Sequence, residues 1–246
     1  SADGAADASV SPFYAPKVIV TYAGNSGATG GVPWIKPDKP LLKVYSSVTG
    51  TRDTLRFREG VGSYGSTEDC ALWLQAPAAN QNGASYLEVM DSGDGAWAKK
   101  VVVKFTDFIG TNIGQVPPGA IIDTAYIRFV EYDNSMGSTV SDIDVHMVNE
   151  AWVENQVTWN NRITGTAWIN NGCRRPNSSS LIYRNVTFTH SGWDDTVYVP
   201  VTHMVRQWVN GVTNNGILLV KTGTTAGTIS FIKSESPTTT SRPELV

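Results

Sequence analysis

The residues best suited to chemistry in this 246-residue chain are its three histidines, His146, His190 and His203. They lie far apart and lack the spacing of a zinc-binding motif. Gly60 to Gly65 spells G-x-G-x-x-G, but a strand-like run follows it where dinucleotide binding requires a helix. No G-x-S-x-G motif marks a nucleophilic serine. We therefore predict that the chain is not an enzyme, although a carboxylate pair for glycoside hydrolysis stays open among its 22 acidic residues.

Acidic side chains lie close together in sequence at Asp91 and Asp94 and again at Asp142 and Asp144. Carboxylate oxygens are the ligands that calcium prefers, but neither pair completes a calcium-binding loop. A tight turn also explains the first pair. We therefore predict no cofactor other than a candidate structural calcium, with Asp91 and Asp94 as its candidate ligands.

The chain has two cysteines, Cys70 and Cys173. A disulfide between them would close a long loop and stabilise the fold by roughly 4 to 5 kcal/mol in the chain-entropy model. The alternative is a pair of buried free thiols. A disulfide would fit a secreted protein.

Eight tryptophans are the candidates for packing or for sugar binding. Three of them lie in strand-like or helix-like patterns and are predicted to fill the core; these are Trp152, Trp159 and Trp208. Sugar rings stack on exposed flat aromatics, and arginines add charge-assisted hydrogen bonds to anionic sugars. The predicted carbohydrate-binding residues are Trp97, Trp168, Trp193, Arg174 and Arg175.

The composition indicates short strands joined by turns, because 23 glycines and 12 prolines accompany many aromatic residues. The net charge is −3, and no basic stripe is present that could bind nucleic acid. No apolar run reaches the roughly 18 residues that a membrane-spanning helix needs. We therefore predict an all-β protein that binds no nucleic acid and has no membrane span.

Strand-like runs recur between turn signals from residue 51 onward, which predicts a jelly-roll-like β-sandwich over residues 51–246. One of the predicted strands covers Gln156 to Asn160. Apolar spacing over Thr202 to Asn210 predicts one short helix, with Thr202 as N-cap and Gly211 as its end. Residues alternate along Ile121 to Val130, but the pattern leaves open which side faces the core.

Residues 1–50 are predicted to form an extended N-terminal arm, because prolines punctuate two strand-like segments that have no local hairpin partner. Such a strand can add to the sheet of a neighbouring subunit. The alternative is an arm that wraps its own sandwich. The predicted assembly strand residues are Val18, Ile19, Val20, Leu42 and Val44.

Four stretches, in order, resemble motifs of the DNRLRE domain family: VPPGAIIDTAYIRFV (116–130), AWVENQVTWNNR (151–162), THMVRQWVNGVTNNGILLV (202–220) and FIKSESPTTTSRPELV (231–246). The resemblance covers roughly residues 51 to 246. It implies a secreted β-sandwich similar to carbohydrate-binding modules and to cell-surface and aggregation proteins, with no catalytic residues to carry over.

The small polar start SADGAADASV is typical of a mature terminus after signal-peptide cleavage, so an extracellular location is expected. The first functional hypothesis is a structural subunit of a surface or filamentous assembly, with copies of itself as partner. The second is a polysaccharide-binding module. The third is a phage or virus surface protein.

Overall fold

The computed structural model describes residues 53–90, 97–134, 140–189, 195–222 and 227–246. Within them the chain forms thirteen strands, one α-helix and a 3-10 helix at Thr239–Ser241. The helix α1 is Thr202–Val209. The strands are β1 Phe57–Arg58, β2 Thr67–Trp73, β3 Tyr86–Met90, β4 Lys99–Phe105, β5 Tyr126–Asn134, β6 Val140–Val148, β7 Asn161–Ile163, β8 Thr166–Ala167, β9 Ser179–Thr189, β10 Thr196–Pro200, β11 Ile217–Thr222, β12 Thr228–Ile232 and β13 Glu244–Leu245.

Strand β5 belongs to two groups of antiparallel strands. Its first half pairs with β10 on one side and β13 on the other, and β13 pairs with β1. Its second half pairs with β12, which leads through β3, β4, β11 and β6 to β9, while β2 adds to β4. The two groups enclose one apolar interior in a sandwich-like arrangement. The predicted all-β class is confirmed.

The main core lies between these two groups. Along β5 and the residue before it, Ala125, Ile127 and Phe129 point into this core, so the open question of the Ile121 to Val130 alternation is resolved in their favour. The strand itself begins only at Tyr126. Side chains of β10, β12 and β13 alternate in the same way, and their inward positions meet those of β5.

Strands β4 and β11 are buried on both sides. Val101 and Val103 belong to the main core, whereas Val102, between them, belongs to a second apolar group that we call the outer cluster. Residues 149–178 pack over this outer side of the sheet, and we call them the covering segment. Two-sided burial explains why β4 and β11 read as continuous apolar runs. The outer cluster contains Cys70, Leu72, Ala98, Val102, Val148, Trp152, Val157, Trp159, Trp168, Cys173, Leu218 and Val220.

The strand predicted from Gln156 to Asn160 is wrong, because these residues lie in turns of the covering segment. Val157 N–H donates to Val153 O at 2.8 Å, and Asn160 N–H donates to Pro77 O at 3.0 Å, so neither joins a ladder. The apolar pattern there comes from packing in the outer cluster. The only regular pairing that the structure describes within the covering segment is the short hairpin of β7 and β8.

The predicted helix is confirmed as α1, which buries Met204, Val205, Trp208 and Val209. The predicted N-cap is wrong. The Thr202 hydroxyl donates to Ala125 O at 3.1 Å and accepts from Ala125 N–H at 2.9 Å, so it ties the helix to the chain before β5 and caps nothing.

The predicted disulfide is not formed, because Cys70 and Cys173 are both buried free thiols. The thiol of Cys70 contacts Ala71 O at 3.4 Å, and that of Cys173 contacts Ser178 O at 3.5 Å. Burial raises the pKa of Cys70 to about 12 and raises that of Cys173 further. Both side chains act as small apolar residues in the outer cluster.

The predicted assembly strand residues Val18, Ile19, Val20, Leu42 and Val44 lie outside the described residues. The same holds for the whole predicted arm, residues 1–50. Among the described residues, no helix has the length and apolar character needed to cross a membrane.

Candidate functional site

Three side chains in the row on the outer side of β5 are only half-buried, namely Tyr126, Arg128 and Tyr132, whereas Val130 among them is 3% exposed. Because Ala125, Ile127 and Phe129 face the main core, the alternate residues Tyr126, Arg128, Val130 and Tyr132 face outward. Six residue steps separate the two tyrosines, which corresponds to roughly 20 Å along an extended strand. The row is therefore long enough for an extended ligand.

Neighbouring strands widen this row with two more tyrosines. Tyr198, on β10, lies opposite Arg128 of β5. It packs edge-on against Tyr126, with ring centroids 5.1 Å apart. Tyr86 on β3 stacks on Tyr132, with centroids 3.6 Å apart and an interplanar angle of 14°. We call Tyr86, Tyr126, Arg128, Tyr132 and Tyr198 the tyrosine face. Tyr198 is one of the few large apolar side chains that stay more than half exposed.

A groove runs beside β5 on this face, with a volume of about 450 Å³. Residues 236–241 form its wall, and we call it the β5 groove. Arg242 holds this wall in place, because its Nε donates to Ser236 O at 2.7 Å and its Nη1 donates to Glu59 O at 2.9 Å. The lining residues are Arg128, Val130, Tyr132, Ile232, Ser236, Thr238, Thr240 and Ser241.

The β5 groove combines one cation with several neutral hydroxyl groups. Arg128 donates from Nη1 to Thr240 O at 3.0 Å, its one side-chain hydrogen bond among the described residues. Glu244 lies opposite Arg128 on β13, but it already forms ion pairs with Arg56 at 3.1 Å and Arg58 at 2.8 Å. Within the described part of the chain, Arg128 forms no ion pair with a carboxylate.

Tyr86, one of the two stacked tyrosines, keeps its hydroxyl proton at neutral pH. A hydrogen bond with Tyr132 raises the pKa of Tyr86 to about 12. A neutral phenol both donates and accepts hydrogen bonds. The face therefore offers flat apolar rings and polar groups side by side.

The structure separates the tryptophans that were predicted to bind sugar. Trp97 is 61% exposed at the turn before β4, in agreement with the prediction, but it does not line the β5 groove. Trp168 is only 2% exposed, and its Nε1 donates to Thr158 O at 3.0 Å, so its predicted role in binding is wrong. It is buried because it packs in the outer cluster. Trp193 lies outside the described residues.

The two predicted arginines are exposed on the covering segment. Arg174 Nε donates to Asn171 O at 3.0 Å. Arg175 lines a separate shallow hollow with Pro176, Ser179 and Ser180. Neither lines the β5 groove, and their predicted role in sugar binding stays a prediction.

The sequence analysis missed the tyrosine face. The signal was present in the alternation of Tyr126, Arg128 and Val130, but it becomes useful only once the other side of the strand is known to be core. Tyr86 and Tyr198 come from distant strands, and pairing with β12 and β5 brings them beside this row.

Among the described residues, one group of side chains could hold a metal ion. Asp69, Glu154 and Glu235 each offer a carboxylate oxygen, and these oxygens lie within 4.8 Å of one another. We call this group the carboxylate cluster. The predicted calcium ligands Asp91 and Asp94 lie outside the described residues.

Comparison with known proteins places the chain in a family. Residues 79–246 match the model of the disaggregatase related repeat domain. No curated protein matches the chain.

The resemblance to the DNRLRE family is therefore corrected, since a different family model matches most of the chain. The shared motif letters include residues that pack inside this fold, such as Trp152, Trp159 and Trp208, and sandwiches with similar packing needs select similar residues. Because the match covers more than half of its residues, the chain belongs to the disaggregatase related repeat domain family.

Proposed function

We propose that this chain is a non-catalytic extracellular module that binds an extended polysaccharide along the tyrosine face. The observation that carries the proposal is the β5 groove, where Tyr132 and Arg128 lie beside a wall rich in hydroxyl groups. Sugar rings have apolar C–H faces that pack on flat aromatic rings, and their hydroxyl groups need hydrogen-bond partners. The groove offers both kinds of contact.

The shape and charge of the site favour a polymer with acidic sugars. The groove is open, and the outward row of β5 is roughly 20 Å long, which exceeds the length of a single sugar ring. Arg128 supplies a guanidinium that suits a sugar carboxylate, because the nearby Glu244 is already paired with Arg56 and Arg58. A polysaccharide of uronic acids fits these features better than a neutral one.

The lining of the groove supports a binding role without catalysis. Glycoside hydrolysis uses two carboxyl groups on either side of the scissile bond. None of the residues that line the β5 groove carries a carboxyl group. The family description contains the word disaggregatase, so a cleavage assay belongs in the test.

Affinity electrophoresis through gels that contain neutral or uronic-acid polysaccharides tests the proposal. We expect retardation in at least one uronic-acid polymer, and we expect Tyr132→Ala and Arg128→Ala to weaken it at least tenfold, or about 1.4 kcal/mol. Trp97→Ala is the matched control, because it removes an exposed aromatic ring outside the groove. It should bind like the unmodified chain.

Three outcomes would contradict the proposal. The first is retention that Trp97→Ala abolishes and Tyr132→Ala leaves intact, which would move the site to the turn before β4. The second is a steady release of reducing ends from a retained polymer, which would make the chain an enzyme. Absence of retention by every polymer would reject polysaccharide binding altogether.

Assembly through the N-terminal arm, the first hypothesis from the sequence, stays a prediction. Its residues, Val18 to Val20, Leu42 and Val44, lie outside the described residues. Deleting residues 1–45 and measuring the size of native particles tests it independently of polysaccharide binding.

A further inference from the structure

The carboxylate cluster joins three distant parts of the chain. Asp69 lies on β2, Glu154 on the covering segment and Glu235 just after β12. Asp69 N–H donates to Glu154 Oε1 at 2.9 Å, and Ser234 N–H donates to Asp69 Oδ2 at 2.8 Å. Main-chain N–H groups therefore hold the carboxylates of Asp69 and Glu154 in place.

Asp69 has an oxygen without a partner. The residue is 1% exposed, and its Oδ1 has no hydrogen-bond partner among the described residues. A buried carboxylate oxygen without a donor or a cation is strongly disfavoured, because it has lost its water and gained nothing in exchange. This oxygen therefore distinguishes Asp69 from a surface acid and makes it a candidate ligand for a cation.

The charges around the cluster do not balance. Lys233 Nζ lies 3.0 Å from Glu235 Oε2 and supplies a positive charge within ion-pair distance of the cluster. Ser234 Oγ donates to Glu235 Oε1 at 2.7 Å, so Glu235 is held by both neighbours. Three carboxyl groups therefore lie beside the one ammonium group of Lys233 that forms an ion pair with Glu235.

We propose that Asp69, Glu154 and Glu235 bind one divalent cation, with Ca²⁺ as the preferred ion. The ligand set consists of oxygen only, which suits Ca²⁺, Mg²⁺ or Mn²⁺ and not Zn²⁺ or copper. Ca²⁺ accepts an irregular arrangement of oxygens, such as three carboxylates from three separate segments, more readily than Mg²⁺ with its strict octahedral geometry. This site is distinct from the β5 groove.

The site has a structural role. A cation there connects β2, the covering segment and the chain after β12, so it holds the covering segment on the sheet. A catalytic reading fits less well, because Asp69 is inaccessible to a sugar and the oxygens lie closer than the roughly 5 Å of a retaining glycosidase pair.

Thermal unfolding of the EDTA-treated, dialysed chain tests the site. Added CaCl₂ should raise Tm in a saturable way, by roughly 5–10 °C at a hundredfold excess over Kd. Isothermal titration should show one Ca²⁺ per chain. Mg²⁺ should need at least a tenfold higher concentration for the same shift.

Variants decide whether these residues bind the ion. Asp69→Asn keeps the shape of the side chain and should abolish the Ca²⁺-dependent rise in Tm, and Glu235→Gln should weaken binding at least tenfold. Asp144→Asn is the matched control, since it removes the same charge from another acidic pair. It should bind Ca²⁺ normally.

Calcium could bind instead at Asp91 and Asp94, the ligands predicted from the sequence, and variants of these residues test that alternative. If Asp91→Asn with Asp94→Asn removes the Ca²⁺ effect while Asp69→Asn retains it, the proposal is overturned. A Tm and a titration heat that do not respond to Ca²⁺ at all would also overturn it. Polysaccharide retention by Asp69→Asn separates this outcome from a failure of the β5 groove.

Discussion

The outer sides of the two strand groups differ in what covers them. Over β4 and β11, the covering segment buries Trp152, Trp159 and Trp168 in the outer cluster. Over β5, the wall of the groove is the part of the described chain that lines the outer side, and the tyrosines remain partly exposed. The exposure of an aromatic side chain therefore depends on whether a segment covers its strand, and the type of aromatic residue does not predict it.

Two lysines lie over tryptophan rings on the covered side of the sheet. On the covered side, Lys104 Nζ lies 4.8 Å from the centre of the Trp152 ring and Lys100 Nζ lies 4.9 Å from that of Trp159. These tryptophan faces are already occupied by cations of the chain itself. On the open side, the tyrosine rings pack on one another instead, Tyr86 on Tyr132 and Tyr198 against Tyr126.

The largest expected effect is on the covered side. Trp152→Ala should lower the free energy of unfolding by about 3–5 kcal/mol, because it leaves a cavity and removes the 2.8 Å hydrogen bond from Nε1 to Asn215 O. Tyr132→Ala should lower it by less than about 1 kcal/mol. Urea denaturation compares them, and equal losses would contradict the division into covered and open sides.

The buried His146 should make the covered side sensitive to acid. Burial lowers its pKa from 6.5 to about 4, Arg175 and Lys100 add to the effect, and Asp144 opposes it. Its Nδ1 lies 3.2 Å from Ser179 Oγ, whose hydroxyl donates to Cys173 O at 2.7 Å, so Nδ1 carries a proton that it donates to Ser179.

Because the pKa of His146 is lowered in the folded chain, the free energy of unfolding decreases as the pH falls. As pH falls below 6.5 the unfolded chain binds a proton at this histidine and the folded chain does not, so the free energy of unfolding decreases until about pH 4. The loss is on the order of 3 kcal/mol. His146→Asn, which keeps a donor but does not titrate, should show a correspondingly smaller loss in urea denaturation at pH 7 and pH 4. Identical losses in both chains would rule out His146 as the cause.

Two glycines of the covering segment, Gly172 and Gly165, differ in how closely other atoms pack around them. Gly172 has φ +70°, and a Cβ there would lie 2.6 Å from the Trp159 ring. Gly165 has φ +75° and nothing within 4 Å of such a Cβ. Gly172→Ala should cost about 2–3 kcal/mol and Gly165→Ala about 1 kcal/mol, since both strain the backbone but only the first disturbs packing. Equal shifts in Tm would show that Trp159 can move away freely.

Several features followed from the sequence alone. The β class, the α1 helix and the burial of Trp152, Trp159 and Trp208 were predicted correctly, because turn residues and apolar spacing act over a few positions. The strand at Gln156 to Asn160 was predicted wrongly for the same reason. A short apolar pattern looks alike in a ladder and in a packed loop.

Only the tertiary structure decided which side of β5 is core, that Trp168 is buried, that the two cysteines stay free, and that Asp69, Glu154 and Glu235 converge. Each depends on contacts between residues far apart in the chain. Glu154 and Asp69 are 85 positions apart in the sequence, and local propensities cannot predict a contact over such a separation. Strand pairing and the placement of the covering segment fix these contacts, so the candidate sites emerge only with the fold.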